Sequence, residues 1–127
     1  MAKKQPARQP QTPQQLLEAA QKQGHAVKRY GFFDGEVLCS DICVDFTARK
    51  VASQNLVADV TRTAFGVRQD PSWSDWEAFL KERCVPRSRV GIHRYLGALG
   101  LLEYDPFAIV QQTQGRMAED DQWIGEI

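Results

Sequence analysis

Between Trp73 and Trp123 three helix starts and stops follow one another, and this run constrains the fold more than any other part of the chain. Ser74 and Glu77 have capping-box spacing, and Trp76, Phe79, Leu80 and Cys84 then fall at intervals of three and four, which predicts a helix over about residues 75–84. Pro86 suits the first position of a second helix, in which Ile92, Tyr95, Leu96 and Leu99 form an apolar stripe. Gly100 followed by Leu101 has the pattern of a Schellman stop. Asp105-Pro106 opens a third helix, with Tyr104 and Ile109 at staple positions and Gly115 at its end. Residues 116–127 keep Met117, Trp123 and Ile124 as docking side chains, so a short strand or an irregular clamp along the body is expected.

Upstream the apolar period changes. Thr12-Pro13 reads as N-cap and first helical residue and Gly24 as the stop, giving a helix over 13–23. Its apolar face, Leu16, Leu17 and Ala20, is thin, so it must pack on another element. Val27 to Phe33 and Glu36 to Phe46 are rich in β-branched and aromatic residues and flank Asp34-Gly35, the dipeptide of a type I′ hairpin turn. Alternation places Leu38, Ser40, Ile42, Val44 and Phe46 on one face and Asp41, Cys43, Asp45 and Thr47 on the other, a core side and a wet side. Residues 50–53 and 56–63 are candidates for further strands joined at Gln54-Asn55, since two strands alone are marginal in water. The expected fold is α+β: an N-terminal helix, a small antiparallel sheet with a β-hairpin, then three short helices and a docked C-terminal tail. A chain of 127 residues suits one core, so residues 13–127 are expected to form a single domain behind a mobile basic arm over 1–12, with Lys3, Lys4 and Arg8.

Charge and cysteine content narrow the setting. With 16 Lys plus Arg against 16 Asp plus Glu, no global field draws the chain to nucleic acid or to an anionic membrane. No apolar run is long enough to span a bilayer, and the N-terminus lacks the apolar segment of a secretory signal. Three cysteines are an odd number and too few for a disulfide scaffold, so a cytoplasmic protein without a membrane partner is expected.

The motifs that advertise catalysis are missing: there is no phosphate-binding glycine loop, no G-x-S-x-G and no H-E-x-x-H, and a histidine mechanism would have to use His25 or His93. Cys39, Cys43, Cys84 and His93 would in principle complete a tetrahedral zinc site. An extended strand, however, holds Cys39 and Cys43 farther apart than the tight-turn ligand pairs of zinc proteins, and buried free thiols are expected instead. Glu119, Asp120 and Asp121 read as a solvated acidic patch. No catalytic residue, metal or cofactor is assigned.

The strongest local signal is basic. Lys81, Arg83, Arg87, Arg89, Arg94 and Arg116 have Glu82 as the only nearby acid before Glu103. With only Cys84-Val85 between two helices, the connectivity would be that of a helix-turn-helix, and Arg87, Ser88, Arg89, His93 and Arg94 would crowd the N-terminal half of its second helix. Arg87, Arg89 and Arg116 equally suit bidentate pairing with Asp105, Asp120 and Asp121, which would fasten the tail to the helices. Gly91 and Gly97 inside the middle helix would cost about 1 kcal/mol each relative to Ala, which points to close approach of another element. Trp73 and Trp123 are core or lid residues, or hot-spot residues if exposed. The candidate partner or nucleic-acid surface is therefore Arg83, Arg87, Arg89, His93, Arg94, Arg116, Trp73 and Trp123. A non-enzymatic binding or regulatory protein with a macromolecular partner is expected, protein ahead of nucleic acid. A helix-turn-helix nucleic-acid binder is the alternative, and a small metal-dependent enzyme ranks lower.

In RCVPRSR, YDPF and TQGRMAEDDQWI, over about residues 76–124, the chain resembles a family of short uncharacterised bacterial proteins of gut Gram-positive bacteria and their mobile elements. The resemblance implies a bacterial, cytoplasmic accessory protein, of the toxin–antitoxin or anti-defence kind such elements often carry. It implies no role for any residue.

Overall fold

Thr12 sets the first element in the computed structural model, which describes residues 10–127. Its hydroxyl accepts the Gln15 N–H while the Gln15 side chain accepts the Thr12 N–H, a capping box that starts α1, Pro13–Lys22. Of the basic arm expected over 1–12, residues 1–9 lie outside the described residues. Four strands follow the helix in the chain's register: β1 (Val27–Asp34), β2 (Val37–Asp45), β3 (Lys50–Asn55) and, from the tail, β4 (Gln122–Glu126). They form one antiparallel sheet in the order β3-β2-β1-β4. The tail is thus a strand, and it extends the sheet beyond the hairpin.

The hairpin turn falls one residue later than expected. Asp34 pairs with Val37, so Gly35 and Glu36 make the turn. Among them only Gly35 has positive φ, at 60°, the sign pattern of a type II′ turn, whereas type I′ needs it at both positions. A bulge also interrupts β2: Phe32 pairs with Ser40 but Phe33 with Leu38, leaving Cys39 as the extra residue. Leu38 therefore moves to the opposite face from Ser40, Ile42 and Val44, contrary to simple alternation.

Both faces of the sheet are covered. Tyr30, Phe32, Ile42, Val44, Val51 and Ile124 pack on the inner face against the later helices. On the outer face Leu16 of α1 packs with Cys43 and Ala52, with Leu17 and Val27 at the margin. The side expected to be wet is consequently dry near α1, where Cys43 is 0% and Asp45 2% exposed.

Residues 56–63 form no strand. Asp59 captures the Thr61 N–H and starts a single 3₁₀ turn, Val60–Arg62, so a local side-chain bond replaces ladder pairing. The loop is tied to the sheet by the buried Ser40 hydroxyl, which accepts the Ala64 N–H at 3.0 Å, and by Arg62, which pairs with Asp34 at 2.8 Å.

The helical layer begins with α2, Trp73–Glu82, capped by Ser72 and Asp75 rather than by Ser74 and Glu77. Asp75 is fixed in that role by an ion pair with Arg68. Next comes α3, Ile92–Ala98, much shorter than a helix from Pro86 would be. Gly91 has φ +74° and stands at its N-cap, outside the helix, and residues 86–92 turn through Arg89 N–H to Pro86 and Ile92 N–H to Arg89 bonds. Gly97 is helical with open space beside it, and nothing in the structure explains it. The Schellman stop is present: Leu101 N–H reaches the Leu96 carbonyl at 2.9 Å and Gly100 N–H the Gly97 carbonyl at 3.0 Å. Last is α4, Pro106–Thr113, capped by the Asp105 side chain on the Phe107 N–H. No helix among the described residues is long and apolar enough to cross a membrane.

Beyond the reach of α1, the outer face is covered by side chains alone. Phe33 and Trp123 stack at 4.2 Å, and a Cβ on Gly31 would stand 2.8 Å from the Phe33 ring and 2.7 Å from Leu38. Gly31→Val is expected to lower stability by about 2 kcal/mol through overpacking, read by urea denaturation, with loss of the near-ultraviolet dichroism of the Phe33–Trp123 pair. Phe33→Leu in the same background should recover part of the loss.

Candidate functional site

The arginines singled out above divide into two kinds. Arg83, the residue that ends α2, is only 7% exposed. Its Nε donates to the Gly115 carbonyl at 3.0 Å, and its two terminal nitrogens reach the two Asp120 carboxylate oxygens, each at 2.9 Å. The Gln122 carbonyl at 2.9 Å and the Gln122 side-chain oxygen at 3.4 Å complete the set. A guanidinium has five N–H donors, and all are engaged. Arg83 is therefore a structural fastening between α2 and the tail, and it is corrected out of the candidate contact surface.

Tail fastening by an Arg–Asp pair was expected, but of Arg87, Arg89 and Arg116. Those three instead lie over aromatic rings: Arg87 over Tyr104 at 4.9 Å, Arg89 over Tyr95 at 4.4 Å and Arg116 over Trp123 at 4.8 Å. Among the described residues none of them, nor Arg94 or His93, forms an ion pair. Tandem placement in sequence made them look like partners of the tail acids. Ring faces on the helices compete for the same planar group.

The structure brings together only part of the candidate set. Arg87 and Arg89, ahead of α3, and His93 and Arg94, in its first turn, are exposed to solvent on one segment. This segment is rooted by Tyr104, whose hydroxyl donates to the Val85 carbonyl at 2.7 Å and lies 3.5 Å from the Cys84 thiol. Burial, with the Cys84 contact next, pushes the Tyr104 hydroxyl up to about 12, and burial likewise raises the Cys84 thiol, so neither is a ready nucleophile. Above this root α3 buries only Leu96. Val90 and Leu102, at its two ends, are 96% and 98% exposed, a feature that sequence reasoning missed because both have the residue type of a core position.

Arg116 and Trp123 belong elsewhere. Ile124 faces the inner core, so its neighbour Trp123 faces outward, where it stacks on Phe33 and donates to the Gly35 carbonyl at 2.9 Å. Trp73 lies at the start of α2, edge-on to Phe46 at 6.2 Å and half-buried. The helix-turn-helix connectivity is absent, because residues 83–91 separate α2 from α3 and Arg87 and Arg89 precede the second helix.

The groups weighed for catalysis or metal are scattered. Cys43 lies under α1 on the outer face and Cys84 in the inner core, so the sheet separates them. No group of three or more His, Cys, Asp or Glu among the described residues is placed to hold a metal ion. His25 does face a carboxylate, with Nδ1 at 2.8 Å from Asp45. Burial pushes the Asp45 carboxyl up, but the Ala48 N–H, His25 and the Thr47 N–H together hold it below its ordinary value. The other Asp45 oxygen closes the β2–β3 turn, and no hydroxyl or thiol among the described residues is hydrogen-bonded to His25. The pair has the base and its orienting acid without a nucleophile. Comparison of the chain with protein-family models, with curated proteins and with solved structures finds no match.

Two outcomes follow for the fastening. Arg83→Met should lower stability by about 3 kcal/mol, because Asp120 and two carbonyls lose their donor, measured as a fall of the urea midpoint. The Asp120 carboxyl is held below its usual range, first by the Arg83 hydrogen bond and then by the Gln122 N–H. Its contribution is complete above about pH 4 and disappears as pH falls through the lowered value. Urea midpoints across pH 2–6 should therefore drop at the acid end, and Asp120→Asn should flatten that drop.

Proposed function

We propose that this is a non-enzymatic binding protein that recognises an acidic surface on a partner protein through the segment from Arg87 to Leu102. One observation carries the reading: three arginines without an ion pair among the described residues lie in one segment with Val90 and Leu102, which are 96% and 98% exposed. Cations alone suit any polyanion. Apolar side chains between them need an apolar counter-surface, which a protein supplies and a phosphate backbone does not.

Stacking adds to this. Arg87 and Arg89 lie over the Tyr104 and Tyr95 rings, so less side-chain entropy is lost when their free N–H groups meet carboxylates. A bacterial, cytoplasmic accessory role, on a mobile element or otherwise, is part of the same proposal and rests only on the motifs RCVPRSR, YDPF and TQGRMAEDDQWI.

A photo-crosslinking side chain placed at Val90 tests the proposal in a bacterial lysate. Adducts should resist nuclease, weaken as salt rises and fall at least about tenfold when Arg87→Glu and Arg94→Glu are combined. The double variant should melt within a few degrees of the parent, since an exposed cation–π contact is worth about 0.5–1 kcal/mol. Adducts that nuclease removes would replace this reading with nucleic-acid binding. Adducts indifferent to the charge reversal would sink both.

A further inference from the structure

A groove of about 320 Å³ opens where the end of β2, one face of α2 and the start of α4 meet. Phe46, Trp73 and Phe107 form its apolar wall, each half-buried with part of its surface left to solvent. Trp73 stands edge-on to Phe46 at 6.2 Å, and Phe107 is inclined to Phe46 by 57° at 5.2 Å, so the three rings meet the groove at different angles rather than closing into one stack. Among the described residues no cation lies over any of these three rings.

The rim carries both signs of charge. Its cations are Arg49, from the turn between β2 and β3, and Lys81, on α2; its acids are Glu77, on α2, and Asp105, at the N-cap of α4. All four are exposed, and among the described residues none forms an ion pair. Glu77 and Lys81 have the order and spacing that favour a pair along a helix, yet they form none. Trp73, Glu77 and Lys81 follow one another at intervals of four residues, so a ring, an acid and a base lie in line along α2.

We propose that this groove binds a free aromatic α-amino acid, its ring against Trp73, Phe46 and Phe107, its ammonium toward Glu77 and Asp105 and its carboxylate toward Lys81 and Arg49. A simple anion or cation meets two like charges on the same rim, whereas a zwitterion meets each sign with its opposite. An α-amino acid carries both charges on one carbon. Residues one helical turn apart hold their Cβ atoms about 5–6 Å apart, so an acid and a base in that relation can flank such a head group. A ring is favoured over an aliphatic side chain because the wall is aromatic, and ring pairs gain more than the area they bury. The volume lies at the lower end of the range for small-molecule sites, about 300–1,000 Å³, which suits a guest of amino-acid size.

None of these residues belongs to the Arg87–Leu102 segment, so each proposal stands without the other. Three probes test it: L-phenylalanine, L-leucine and N-acetyl-L-phenylalaninamide, which keeps the ring and lacks both charges. Each is titrated into the full chain and followed by Trp fluorescence and calorimetry. L-phenylalanine should bind saturably with a Kd below about 1 mM, at least about tenfold tighter than either of the others. Glu77→Gln combined with Lys81→Gln should weaken L-phenylalanine at least about tenfold and leave the melting temperature within a few degrees of the parent, since both side chains are exposed. Arg49→Gln should weaken it severalfold and provides the check if the double variant fails to fold. Equal binding of leucine would remove the aromatic requirement, and equal binding of the blocked amide would make the groove a seat for an apolar side chain of a partner. Affinity unchanged by the substitutions would place the ligand elsewhere. Any of these results, or no binding of L-phenylalanine below about 1 mM, would overturn the proposal.

Discussion

The Arg83 guanidinium is the contact on which the rest of the molecule depends. Residues 115–122 wrap around it, and its five donors are matched by two carbonyls, one carboxylate and one side-chain amide. A charge so buried is destabilising if left alone, and it is tolerated here because every N–H has an acceptor. The consequence is positional. With Gly115 and Gln122 fixed to the end of α2, β4 arrives in register beside β1, Ile124 enters the inner core and Trp123 is delivered to the outer face. Gly115 itself is part of the fit, since a Cβ there would stand 3.2 Å from that of Arg83.

Set beside Arg83, the remaining arginines show how the same side chain serves different ends. Arg83 spends all its donors inside the protein and has none to offer. Arg87 and Arg89 lie over ring faces with no side-chain hydrogen bond among the described residues, while Arg116 lies over Trp123 and also donates from Nε to the Gln114 side-chain oxygen at 3.3 Å. A formal net charge of zero conceals this division. Acids matched to structural cations, such as Asp120, Asp41 and Asp34, contribute no field that could cancel the exposed arginines at short range.

What could be read from the sequence was whatever is decided locally. The Thr12 cap, the Gly100-Leu101 stop and the Asp105-Pro106 start each depend on residues within five positions of one another, and each is present. Where two local signals overlapped, Ser72 and Asp75 cap α2 through reciprocal bonds, with an exposed ion pair from Arg68 to Asp75 beside them, and Ser74 and Glu77 lie within the helix. The Cys39 bulge leaves no periodic trace, as Leu38 is apolar and fits either face. The apolar stripe after Pro86 runs through Gly91 without a break, whereas the left-handed φ of Gly91 places it at the N-cap and starts α3 only at Ile92. Which arginine meets Asp120 is invisible in sequence, since the pair is set by the docking of a strand that pairs with β1.

One helix links the parts that matter. Arg83 at the C-cap of α2 carries the fastening, and Cys84 just beyond touches the tyrosine at the root of the Arg87–Leu102 segment. A face turned to the core at Trp76, Phe79 and Leu80 thus fixes the angle at which both the exposed segment and the tail depart. Within the segment, α3 is held to the core by buried Leu96, with Ile92, Tyr95, Leu99 and Leu101 packed beside it, so the exposed side chains are borne on an anchored element. The exposed segment thus leaves the packed end of α2 at Cys84 and Val85, both held by the Tyr104 hydroxyl, and its basic and apolar side chains project from that root.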